Sequence, residues 1–212
     1  MRVRIFRTLS LSLLFVITFS VALVTTGLAQ SSNDTPVTFP DANLEAAIRE
    51  AIDKPEGLIF TSDLDGLTSL KTKGITDLTG LEYCTNLTEL DLVWNQITDI
   101  SPLASLTKLT ALDLRQNQIS DISPLASLTN LTDLSLDNNQ ISDISPLANL
   151  TNLNDLRLGW NQIADISPLQ NLTKLTELGL DGNQIADVSP LVGEHWAGCK
   201  RQVMAVSGQS PQ

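Results

Sequence analysis

The sequence predicts an α/β solenoid, with short strands laid side by side, tight turns behind them and a helix closing the N-terminal end. Three observations carry that prediction. Residues 106–127, LTKLTALDLRQNQISDISPLAS, return at 128–149, 150–171 and 172–193 and already stand at 84–105, without a slip in register. Each copy follows L-x-x-L-x-x-L-x-L-x-x-N-x-I-x-D-I-x-P-L, and its 22-residue period falls in the range of roughly 20–29 residues that marks leucine-rich repeats. An amphipathic segment precedes the copies, where a stack needs a cover for its first apolar layer.

Residues 1–29 begin with Arg2, Arg4 and Arg7, continue as an apolar run over 9–24 and end Gly27-Leu28-Ala29. A basic start, an apolar middle and small residues before a cut form the layout of a secretory signal, cleaved after Ala29. An uncleaved anchor is the alternative, because the run approaches spanning length. The mature protein is therefore expected to be exported, to the periplasm, the cell surface or the medium, without stable insertion in a membrane. Residues 30–39, polar and carrying Pro36, are expected to form a flexible leader.

The cap is placed at 40–57. Asp41 is the expected N-cap of a helix over 41–53, and Leu44, Ala47, Ile48, Ala51 and Ile52 fall on one face at helical spacing. Pro55 and Gly57 end it. The repeats then run over 62–193. The first, at 63–83, is degenerate. Its Ile75, Asp77, Leu78 and Leu81 stand one period before Ile97, Asp99, Ile100 and Leu103, but its Leu64, Leu67 and Leu70 are out of step by one, and Lys73 stands where Asn is expected. Residues 194–212 lose the pattern. They are expected to be irregular or truncated, with Trp196, Val203, Met204 and Val206 the apolar groups available to cover the last layer.

Within one copy, Leu112 and Leu114 face inward from a short strand, since alternate strand residues share a side. Leu106, Leu109, Ile119, Ile122 and Leu125 fill the rest of the coil. Only Cys84 and Val188 depart from Leu and Ile at these seven positions. Asn95, Asn117, Asn139, Asn161 and Asn183 recur where the chain leaves the strand; an amide there offers donors and an acceptor to unpaired backbone, which makes the column structural. Ser123-Pro124 and its equivalents place an N-cap residue before proline, opening a short 3₁₀ turn, with Asp121 and its equivalents bonding to that turn's backbone.

Reaching these residues, the chain resembles the bacterial internalin family. NQISDISPLASLTNLTDLSL is similar to that family's 22-residue repeat, and DANLEAAIREAIDKPEG followed by GITDLTGLEYCTNLTELDL is similar to the N-terminal part of related secreted repeat proteins. The resemblance covers about residues 41–192. It implies a right-handed solenoid with a parallel sheet on its concave face and 3₁₀ turns on its convex face, and protein binding at the level of a class. The chain departs from the family in showing no recognisable C-terminal cap and no wall-anchoring motif.

Function is left to the positions the repeat does not use. These form columns on the sheet: Glu89, Ala111, Asp133, Asp155, Glu177; then Asp91, Asp113, Ser135, Arg157, Gly179; then Val93, Arg115, Asp137, Gly159, Asp181; and beside them Trp94, Gln116, Asn138, Trp160, Gly182. Two tryptophans in one column are the strongest interaction candidates, since aromatic and Arg residues are enriched at binding hot spots. Trp94, Arg115, Asp137, Arg157, Trp160 and Asp181 are the candidate partner-binding residues.

Composition narrows the rest. Apolar residues make up 42% and aromatics 4%, so the core is aliphatic. The net charge is −11, and three of the 13 basic residues lie in the expected signal, so the mature chain is more acidic still. Such a surface repels phosphate backbones and argues against nucleic acid. The one histidine, His195, lies in the tail, and no Gly-rich phosphate loop, HExxH or CxxC occurs. Turn chemistry accounts for the repeated Asp without a metal. No cofactor and no enzyme activity are expected. Cys84 and Cys199 sit at opposite ends of the stack, too far apart for the roughly 7 Å that a disulfide allows, so no intrachain bond is expected. The leading expectation is an exported module that binds a macromolecular partner through its concave face; its rivals are a spacer in a larger surface protein and a phosphatase-type regulator.

Overall fold

The computed structural model describes residues 34–192, Trp196 and the backbone of Lys200–Gln202. The expected signal (1–29), His195 and Cys199 lie outside the described residues. Among those described, no helix is long and apolar enough to cross a membrane.

Seven parallel strands form one sheet in sequence order: β3 (Ser69–Lys71), β4 (Glu89–Asp91), β5 (Ala111–Asp113), β6 (Asp133–Ser135), β7 (Asp155–Arg157), β8 (Glu177–Gly179) and β9 (Lys200–Gln202). Each strand from β3 to β8 buries its central residue. Leu90, Leu112, Leu134, Leu156 and Leu178 stack in register from coil to coil. Successive coils rise on 3₁₀ turns, Ser101–Ser105, Ser123–Ser127, Ser145–Asn149 and Ser167–Asn171, which form the opposite wall. Between the walls runs one continuous aliphatic core, from Val37 to Leu191 and Trp196. The chain is thus a right-handed leucine-rich repeat solenoid with a concave parallel sheet, convex 3₁₀ turns and an N-terminal helix.

That helix is α1 (Ala42–Ala51). Asp41 caps it, its Oδ1 accepting the backbone N–H groups of Asn43 and Leu44 at 2.9 and 3.2 Å. Leu44 and Ile48 are fully buried, Ala47 and Ile52 pack against the core, and Ala51, expected on the same face, is exposed. A helix face buries only the stripe nearest the underlying layer, and Ala51 lies beyond it.

The leader is not wholly flexible. Residues 36–37 form β1, antiparallel to β2 (Ile59–Phe60), and Asp34 accepts from Ser62 N–H and from the Thr61 and Ser62 hydroxyls. Val37 and Phe39 are buried. Phe39 lies across Gly80, where a Cβ would fall 2.5 Å from the ring, so a side chain there is ruled out.

The degenerate repeat is out of step by two residues, not one: Ser69, Leu70 and Lys71 pair with Glu89, Leu90 and Asp91. Carried forward, that register sets Lys73 beside Val93 and Gly74 beside Trp94, both of the latter pair at positive φ. Lys73 therefore does not replace the repeat's Asn. The Asn-Gln pair is missing from this coil, yet Asn95 of the next coil accepts Ile75 N–H at 2.8 Å, just as Asn117 accepts Ile97 N–H one coil on.

In the full coils Asn139 Oδ1 accepts Ile119 N–H, while its Nδ2 donates to the Leu114 and Leu136 carbonyls, each at 3.0 Å. Asn95, Asn117, Asn161 and Asn183 repeat the pattern. The 3₁₀ turns differ from expectation in their cap. Ser123 is the first residue of its turn, and its backbone N–H is satisfied by Asp121 Oδ1 at 2.8 Å, so the carboxylate two residues upstream does the capping. Val188, expected inward, is 44% exposed beside the last described 3₁₀ turn, Ser189–Leu191, whereas its counterpart Ile166 is buried.

The tail is not irregular throughout. Trp196 is buried in the core, and β9 extends the sheet in parallel with β8. The 22-residue pattern is lost from the sequence at this point, but a strand pairs through backbone groups that any side chain can bear.

Candidate functional site

The residue that follows each strand's second inward Leu by two positions adopts a left-handed backbone. Trp94, Gln116, Asn138 and Trp160 have φ of 62, 58, 57 and 56°, and Gly182 has 69°. The geometry lets the chain swing off the strand while its N–H still reaches the neighbouring coil, as in Trp94 to the Arg115 carbonyl and Trp160 to the Asp181 carbonyl, at 3.1 and 2.6 Å. Glycine and asparagine tolerate this region; a bulky side chain pays about 1–2 kcal/mol for it. Two of the five positions nevertheless carry tryptophan, 65% and 62% exposed.

Trp94 and Trp160 line one open trough of about 460 Å³ on the sheet face, together with Lys73, Val93, Arg115, Gln116, Asp137, Asn138 and Asp181. Five of the six candidate residues thus meet in one place. Arg157 does not; it lines an adjoining depression with Asp155, Glu177, Leu178 and Gly179, which shares only Asp137 and Asp181 with the trough.

The arginines are already engaged. Arg115 makes a forked pair with Asp113, two residues earlier on its own coil, at 2.6–3.0 Å. Arg157 does the same with Asp155 and stands 3.6 Å from Glu177. Lys71 holds Asp91 at 2.5 Å. Asp137 and Asp181 have no Lys or Arg within 4 Å among the described residues. Asp137 Oδ1 accepts the Gly159 N–H at 2.8 Å, yet burial pushes its carboxyl above the usual carboxylate range, against the lowering effect of that bond and of Arg115.

Two glycines shape the trough and were not singled out by sequence. A Cβ on Gly159 would stand 2.8 Å from Asp181 Oδ1 and 2.9 Å from Asp137 Oδ1, so the two carboxylates converge over bare backbone. A Cβ on Gly182 would stand 2.8 Å from Trp160 Cδ2, so that indole is seated on glycine. The sequence held one signal for this: Asn138 and Gly182 in the tryptophans' own column are the residue types that mark positive φ. Among the described residues no group of three or more His, Cys, Asp or Glu is placed to hold a metal ion.

The repeats match a family model described as leucine-rich repeats (2 copies), over residues 85–127, 107–149 and 151–193. A search among curated proteins returns no match. Among solved structures the chain is similar to an internalin (inlF) from Listeria monocytogenes, at 37% identity and a TM-score of 0.66, covering 79% of this chain and 58% of that one. It is similar also to internalin C2 from the same organism, at 39% identity and a TM-score of 0.62, covering 81% of this chain and 88% of that one.

The chain belongs to the internalin-like leucine-rich repeat proteins.

The functional domain of InlJ, also from Listeria monocytogenes, shares the fold at 23% identity and a TM-score of 0.53. For an internalin-like stack, the inward Leu and Ile, the Asn column and the Asp-x-Ser-Pro turns are accounted for by packing and backbone satisfaction alone. Exposed Trp94 and Trp160 are not. Repeats of this kind are interaction modules, and the trough is the part of this one that the stack does not require.

Proposed function

We propose that the chain is an exported module that binds a protein partner on its concave sheet face. Trp94, Arg115, Asp137, Trp160 and Asp181 meet the partner, with Arg157 at the flank. One observation carries the reading: two exposed tryptophans border a single trough, each on a backbone conformation that disfavours a bulky residue. Strain of that kind persists where the surroundings impose it and concentrates at binding sites. Aromatic plates of low conformational entropy are also what protein interfaces use as anchors.

Export rests on the layout of residues 1–29 and is tested by N-terminal sequencing of the product from a secreting host, with a new N-terminus at Gln30 the expected result. Binding is tested by pull-down with the mature chain beside a Trp94→Ala/Trp160→Ala double variant of unchanged melting temperature. Proteins retained by the first and lost by the second support the reading. Equal retention of the same proteins by both overturns the tryptophans as anchors, and retention of nothing by either overturns the reading and leaves a spacer in a larger surface protein.

A further inference from the structure

The trough's electrostatics select its occupant. On the sheet face Lys71, Arg115 and Arg157 each hold a carboxylate of this chain, while Lys73, outside any ion pair among the described residues, stands at the N-terminal end of the trough. At the other end Asp137 and Asp181 line the trough with no Lys or Arg within 4 Å among the described residues. Both carboxylates aim at the space above Gly159, each within 3 Å of where a Cβ would stand. Trp160 follows Gly159 in the chain, and its exposed indole borders the same space. Across the trough lies Trp94, with Lys73 at the N-terminal end.

An acidic or phosphorylated segment entering the trough would meet two carboxylates on a chain of net charge −11. A basic side chain meets the opposite. Its cation can donate to both carboxylates at once, and its methylene stem or guanidinium plane can lie on an indole face, which attracts cations within about 6 Å of the ring. The half-buried Asp137, held partly against its charge by desolvation, recovers the interaction it lacks.

We propose that the trough takes an extended peptide segment bearing a Lys or Arg side chain, with that cation between Asp137 and Asp181 above Gly159 and the neighbouring apolar residues on Trp94 and Trp160. The proposal rests on the reading of the sheet face as a protein-binding surface and adds the chemistry of what binds. Charge complementarity also makes association fast and salt-sensitive, because a focused negative field steers a cationic segment.

The test uses the mature chain and three fluorescent synthetic peptides, repeats of Ser-Lys-Ser-Leu, Ser-Gln-Ser-Leu and Ser-Glu-Ser-Leu, titrated by anisotropy at physiological salt. The Lys peptide is expected to bind saturably and the Glu peptide not at all. Asp137→Asn/Asp181→Asn and Trp94→Ala/Trp160→Ala should each weaken it about tenfold. A Glu50→Gln/Glu56→Gln control, which removes the same charge from exposed positions on and beyond α1, should leave affinity unchanged. If the control weakens binding as much as the trough variant does, only bulk attraction operates and the proposal falls. If the Gln peptide binds as well as the Lys peptide, and only the tryptophan variant loses it, the cation seat is wrong while the docking surface stands. If the wild type binds none of the three, the proposed occupant is wrong, and the pull-down still decides whether the face binds a partner.

Discussion

The indole of Trp160 rests on Gly182, one coil further along, so closely that a Cβ at 182 would fall 2.8 Å from Cδ2 and 2.9 Å from Cε3. Both residues occupy the same left-handed position of the repeat. Glycine at 182 therefore does two things: it relieves its own backbone and it leaves room for the neighbouring ring. Gly182→Ala should lose about 1 kcal/mol to the positive φ alone and displace the indole as well. A lowered melting temperature together with an altered tryptophan emission spectrum is the expected outcome. A stability loss with an unchanged spectrum would show that the ring does not depend on Gly182.

Leu134 is buried in mid-stack between Leu112 and Leu156, its partners in register on both sides. Leu134→Ala should destabilise by about 2–5 kcal/mol, from lost burial and the cavity left between coils that cannot close up. Chemical denaturation measures it, and a loss below about 1 kcal/mol would contradict the packing described.

Asn139 holds Ile119 N–H and the carbonyls of Leu114 and Leu136, three backbone groups on two adjacent coils. Asn139→Ala orphans them in a buried place, at roughly 1–3 kcal/mol for each group that water cannot reach. The expected result is a larger loss than for an exposed substitution such as Gln140→Ala. Hydrogen exchange should quicken first at Ile119, whose N–H loses its only acceptor among the described residues.

Asp41 joins the cap to the stack. One oxygen caps α1, and the other accepts Thr76 N–H and hydroxyl at 2.8 and 3.2 Å. Burial alone would raise its carboxyl, but N–H bonds from Thr76, Leu44, Asp77 and Asn43 hold it below the ordinary value of 3.8. A carboxyl depressed by folding stabilises the fold fully above its unfolded value and ceases to do so as pH falls through the lower folded one. Stability should therefore decline below about pH 3.8, and Asp41→Asn should be less stable at neutral pH with a smaller acid decline. Asp137 has the opposite sign: raised by burial, it burdens the fold at neutral pH and ceases to when protonated. Asp137→Asn should raise the melting temperature at pH 7, and a fall would overturn that sign.

Cys84 takes an inward Leu position and is fully buried; burial, with Glu82 nearby, pushes its thiol up to about 12. A thiol so placed is protonated and inaccessible, so it should resist alkylation in the native state and react on unfolding. Peptide mapping after a brief iodoacetamide pulse separates its labelling from that of Cys199. Rapid native labelling of Cys84 would show that the first coil opens.

The stack is legible in the sequence because its residues answer to a local rule repeated five times. Leu112, Asn139 and Ser123 need only their own coil and its copy to be understood, so spacing predicts their burial. The degenerate repeat differs from its expected register by one residue because nothing local marks a two-residue deletion; only pairing with β4 reveals that Gly74 stands beside Trp94. The strands β1 and β9 escape a sequence reading for a related reason, since short strands form when backbone groups find a partner already in place. The trough is half legible. Its tryptophans stand out as aromatics in one outward column, but the roles of Gly159 and Gly182 depend on how close side chains from other coils come.

By itself, then, the sequence determined the period, the core and the Asn column, because each is a property of a 22-residue unit stacked on its own likeness. Only the tertiary structure decided which free residues share a surface. It gathered Trp94, Arg115, Asp137, Trp160 and Asp181 from five coils into one trough, set Arg157 apart, and turned the arginines to Asp113 and Asp155. The physical reason is that packing is dictated coil by coil, whereas the charge and shape of a face arise only when coils stand side by side.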